Sequence, residues 1–136
     1  MTAYQLLLVA AAINGTVFGL LFIVAPDGAI ALFGGTLEPL ASLLVRQFGG
    51  VILGLALLNW LIRANADRDV QRAVVAGNVT AFAVVAAVAA IGVLAGVINV
   101  LGWGVALFHA VVAVGLITTQ LRSSDATTRE SSQRPV

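Results

Sequence analysis

Six polar side chains stand inside long apolar runs of this chain: Asn14, Arg46, Gln47, Asn59, Asn78 and His109. Arg46 lies within LASLLVRQFGGVILGLALLNWLIR, residues 40–63. A guanidinium there can capture an anionic headgroup or a substrate carboxylate near a membrane face. It can equally snorkel to the surface, tied to Glu38 or a loop carbonyl. His109, the only histidine, suits an axial ligand to haem or chlorin, or a proton relay. It suits as well a packing histidine held by one hydrogen bond, and a bis-histidine haem would need a second chain. Asn14, Asn78 and Trp103 complete the set of candidate ligand contacts.

Other chemistry is excluded by composition. The chain has no cysteine, so it has no thiol nucleophile, disulfide or thiolate metal site. It shows no metal-ligand cluster, no Ser-His-Asp set and no phosphate-binding glycine loop. No acidic residue falls inside an apolar run, which argues against a proton-coupled exporter built on a buried carboxylate. Nothing in the charge pattern suits nucleic acid.

The elements that position these residues follow from length. Of 136 residues, 60% are hydrophobic and 10% charged, against about a quarter charged in soluble domains. A helix over residues 40–62 is about 34 Å long and matches a hydrocarbon core of roughly 30 Å. Three further runs, about 4–25, 73–95 and 100–121, have similar length. The fold expected is all-α, a four-helix transmembrane bundle over residues 1–121. The first run lacks the basic flank of a signal peptide and reads as a retained span. Residues 27–39 (DGAIALFGGTLEP) are too apolar for a solvated loop and suit a short interfacial segment. The polar tail, residues 122–136, reads as disordered.

Arginine sets the expected orientation. Arg63, Arg68 and Arg72 flank the second connection, and Arg122, Arg129 and Arg134 lie in the tail. The first and third connections carry no basic residue, so the positive-inside rule places both termini in the cytoplasm of a bacterial cell, with the bundle in its inner membrane.

Counting from the helix ends puts Asn14 and His109 near the midplane. Asn78 lies closer to the cytoplasm, Asn59 one turn above Arg63, and Arg46 and Gln47 toward the outside. Polar groups in hydrocarbon need partners, so Asn14 with His109 and Asn59 with Asn78 are expected as interhelical pairs. Trp60 and Trp103 fall near opposite interfaces, as anchoring residues do. Small residues at four-residue spacing mark close helix contacts: Ala11, Gly15 and Gly19; Gly50 and Gly54; Ala73, Gly77 and Ala81; Gly102, Ala106 and Ala110. An Ala/Gly-rich chain also produces such rows by chance. The first and third runs share Asn-x-Thr-x-Phe, at Asn14–Phe18 and Asn78–Phe82. A duplicated hairpin or chance would each produce this.

The run Arg46-Gln47-Phe48-Gly49-Gly50, then Leu53-Gly54, Trp60 and Arg63, follows a first span ending at Ala25-Pro26. This resembles small bacterial four-span membrane families of unknown function near the DoxX-like group. The resemblance implies a four-helix integral membrane fold and no activity, and no site residue is carried over from it. Three functions stay open on these grounds. The first is a non-catalytic accessory or scaffold subunit of a larger membrane complex, partnered by lipids and by other subunits or copies of itself. The second is a binder or carrier of a hydrophobic or amphipathic molecule such as a lipid, quinone or pigment. The third is an enzyme acting on lipid or quinone.

Overall fold

A computed structural model describes the backbone of residues 1–132 and the side chains of residues 1–122. The described chain is all-α, in the order α1 (Ala3–Val24), α2 (Pro26–Ala31), α3 (Pro39–Ile62), α4 (Arg68–Leu94) and α5 (Leu101–Ser132). Four helices are long and apolar enough to cross a membrane: α1, α3, α4 and the Leu101–Arg122 part of α5.

Local chemistry sets the helix starts. Thr2 opens α1 with a reciprocal capping box to Gln5. Pro26 and Pro39 occupy first-turn positions of α2 and α3, where a missing N–H costs nothing. The expected interfacial segment thus contains the short helix α2. Its end is closed by Gly34 at φ +84°, a backbone conformation open to glycine at little cost.

Two boundaries differ from expectation. The third span was expected from residue 73, but α4 begins at Arg68. Asp67 is the reason: its Oδ1 accepts from the N–H groups of Asp69 and Val70 at 2.8 and 3.3 Å. Such a cap satisfies donors that the first turn otherwise leaves open. At the other end α5 continues to Ser132, into the stretch expected as a tail. No glycine or proline occurs between Gly115 and Pro135 to break the helix. Residues 133–136 of that tail lie outside the described residues.

The helices pack as two hairpins, α1 on α3 and α4 on α5, joined mainly along α1 and α5. Gly15, Gly19 and Gly49 let α1 and α3 approach closely: a Cβ at Gly49 would stand 2.8 Å from the Gly19 carbonyl oxygen. The expected contact row on the second span was Gly50 and Gly54; the contact falls instead on Gly49, because the helix is rotated so that Gly50 and Gly54 face outward. Between the hairpins, Leu8, Ala11, Val75, Phe82, Val112, Ala113 and Leu116 form a core against which Ile62 packs. This core occupies the half of the bundle nearer Arg63 and Arg68.

The opposite end is held by a clasp between loops. Asn99 donates from its backbone N–H to Phe33 O at 2.9 Å and from Nδ2 to Leu32 O at 2.8 Å. Its Oδ1 also accepts from Leu101 N at 3.0 Å, which caps α5. Around the whole bundle large apolar side chains point outward, Leu44, Val51, Val88 and Leu107 among them. Hydrocarbon is the solvent that such a surface suits.

Candidate functional site

Asn59 and Asn78 are the two buried polar side chains of the described residues, 1% and 2% exposed. Each donates from Nδ2 to the other's Oδ1, both at 2.9 Å, and Asn78 Nδ2 also reaches Val74 O at 3.0 Å. The structure therefore joins these two across α3 and α4, which touch little elsewhere. Both Nδ2 hydrogens of Asn78 are thereby used, and its Oδ1 accepts one bond.

Asn14 and His109 are both half-buried, and no hydrogen bond joins them among the described residues. Leu7 packs on Gly115; counting from that contact puts Asn14 about 10 Å and His109 about 9 Å farther along their helices, at one depth. The expected pair nevertheless does not form, and the competing partner is local. His109 Nδ1 lies 2.8 Å from Val105 O; a carbonyl only accepts, so Nδ1 is the donor. Thr80, Thr118 and Thr119 turn in the same way to carbonyls of Ala76, Gly115 and Leu116 at 2.8–2.9 Å. A carbonyl one turn back is always within reach of such side chains, and it meets the need that hydrocarbon imposes. The His109 ring is packed edge-on, with Phe82 and Phe108 centroids at 5.3 and 5.2 Å.

Arg46 donates from Nη1 to Ile23 O, in the last turn of α1, where carbonyls lack helical partners. Of the acceptors expected, the structure supplies a carbonyl rather than Glu38, and that carbonyl belongs to a helix end. A cation there also complements the negative end of the helix dipole. Phe22 and Phe48 stack in the same corner, centroids 6.3 Å apart. Arg46 is thus level with the end of α1, and it lies about 26 Å along α3 from Arg63.

Two outward-facing grooves lie within the hairpins. The α1/α3 groove, about 680 Å³, runs over Gly50 and Gly54 to Trp60. The α4/α5 groove, about 440 Å³, is floored by Ala86, Ala90, Ala106 and Ala110 and ends at Trp103. Of the candidate ligand residues, Trp103 lines the smaller groove, and neither Arg46 nor His109 lines either of the two. At the end of the larger groove the Arg63 guanidinium lies 3.7 Å over the centre of the Trp60 ring. Arg63 Nη1 also donates to Trp60 O. Among the described residues no group of three His, Cys, Asp or Glu is placed to hold a metal ion.

Sequence reasoning passed over three polar features. Asn99, in the third connection, is one of them, although an Asn before an apolar run is a helix-cap signal. The spacing of Trp60 and Arg63, i to i+3 on one helix face, signals their stacking. The buried Tyr4 hydroxyl, without a hydrogen-bond partner, leaves no sequence signal. No family model matches the chain, and no curated protein or solved structure matches it either.

Proposed function

We propose that this protein is a small non-catalytic membrane subunit that works by packing its outer helix faces against other membrane helices. The observation that supports this is glycine without an internal use. A Cβ added at Gly77 of α4 or Gly104 of α5 would meet nothing within 4 Å. Glycine in a helix interior costs about 1 kcal/mol relative to alanine. Inside this fold nothing is gained in return, whereas an approaching helix would gain a close contact. Gly77 shares its exposed face with Ala73, Thr80 and Val84, a narrow face suited to a neighbour. Arginine distribution supports a cytoplasmic position for both termini and for the α3–α4 loop.

A photoreactive residue placed at Gly77 or Gly104 in cells tests this reading. The expected result is a protein adduct of one defined mass at these positions, and lipid adducts alone from the same probe at Leu43. Lipid adducts alone at all three positions would refute it.

A further inference from the structure

The α1/α3 groove has a length, a floor and a charged end that fit one kind of molecule. From Gly50 to Trp60 it extends about 15 Å along α3, half of a hydrocarbon core of about 30 Å. Its floor is empty, since a Cβ at Gly50 or Gly54 would meet nothing within 4 Å. Its walls, Ile13, Val17, Leu53 and Leu57, are apolar. At the Trp60 end the guanidinium carbon of Arg63 lies over the indole, 3.7 Å from the ring centre. That contact holds the guanidinium at the groove's end and leaves most of its donors available. Of five N–H groups, the structure uses one from Nη1 on Trp60 O. No carboxylate is paired with Arg63 among the described residues. A planar fork of this kind matches two oxygens of a phosphate.

We propose that this groove holds one acyl chain of an anionic glycerophospholipid from the leaflet on the Arg63 side, with its phosphate on Arg63. The chain covers Gly50 and Gly54; the phosphate meets the guanidinium where the hydrocarbon ends. The α4/α5 groove is the internal comparison: it ends at Trp103, a ring over which no cation lies among the described residues, and so offers a chain no headgroup partner. A second copy docked through Gly50 and Gly54 would set two Arg63 guanidiniums at one depth on neighbouring helices. That contact is repulsive, while an anionic lipid makes it attractive. The inference concerns α1 and α3 and is separate from the partner face on α4 and α5.

The test is native mass spectrometry of the purified full-length chain, released from bilayers of equal phosphatidylglycerol and phosphatidylcholine. The wild-type chain is expected to retain phosphatidylglycerol in preference to phosphatidylcholine. Arg63→Gln is expected to lower that preference about fivefold, the worth of one basic residue near an anionic surface. Gly54→Leu, whose Cβ meets nothing within 4 Å and whose outer carbons take the place of an acyl chain in the groove, is expected to shed both lipids while the chain stays folded. Arg72→Gln, which alters the Arg72–Asp69 pair instead, is expected to behave as wild type. Equal retention of the two lipids by the wild-type chain would overturn the proposal. So would phosphatidylglycerol retained undiminished by both Arg63→Gln and Gly54→Leu. A lipid-free dimer abolished by Gly54→Leu would assign the groove to a second copy and overturn it too. None of these results bears on adducts formed from Gly77 or Gly104.

Discussion

Replacing Asn59 or Asn78 by leucine should cost unequal amounts, and the inequality follows from the bonds each leaves behind. Asn59→Leu removes both bonds of the pair, but Asn78 Nδ2 keeps Val74 O; one buried acceptor, Asn78 Oδ1, is orphaned. Asn78→Leu orphans both the Nδ2 and the Oδ1 of Asn59, which is 1% exposed. Interhelical bonds in membranes contribute about 0.6–1.7 kcal/mol each, and an orphaned buried group costs about 1–3 kcal/mol. Asn59→Leu should therefore lower stability by about 1–2 kcal/mol and Asn78→Leu by about 2–4 kcal/mol. The double variant orphans neither amide and brings two leucines together. It should be no worse than Asn78→Leu alone, which makes the cycle non-additive by at least 1 kcal/mol or so. Equilibrium unfolding in mixed micelles, with all four chains compared, reads these values. Additivity within about 0.5 kcal/mol, or a larger cost for Asn59→Leu than for Asn78→Leu, would refute the reasoning.

Adjacent glycines on α3 should respond with opposite sign. Gly49→Ala places a Cβ 2.8 Å from Gly19 O and 2.9 Å from Phe22 Cβ and should cost about 1–3 kcal/mol as overpacking. Gly50→Ala meets nothing within 4 Å and should gain up to about 1 kcal/mol from helix propensity; the same unfolding assay checks both. Asn99→Ala keeps the backbone bond to Phe33 O but loses the one to Leu32 O and the cap on Leu101 N. It should cost about 1–2 kcal/mol, with faster hydrogen exchange at the Leu101 amide as the local readout.

Depth was legible in the chain, and rotation was not. Counting from the helix ends sets how far Asn14, Asn59, Asn78 and His109 lie along the bundle. It does not say which carbonyl or side chain each one faces. His109 illustrates the difference: its level matches Asn14, yet Val105 O one turn back takes its N–H. Gly49 and Gly50 illustrate it again, since both are glycine and one turns toward α1 while the other turns away. Where hydrocarbon surrounds a helix, an outward apolar face is as acceptable as an inward one. The hydrophobic pattern that fixes rotation in water-soluble proteins is therefore weak here.

The sequence alone determined the number, length and apolar character of the spans, because a bilayer of set thickness leaves few solutions for such runs. It also determined the gathering of six arginines into one end and the tail. Tertiary structure alone decided that the hairpins pair α1 with α3 and α4 with α5. It alone decided that Arg46 caps α1 and that Asn99 ties the far loops together. These depend on close fit between helix backbones and on single hydrogen bonds between distant residues, which carry little trace in local composition.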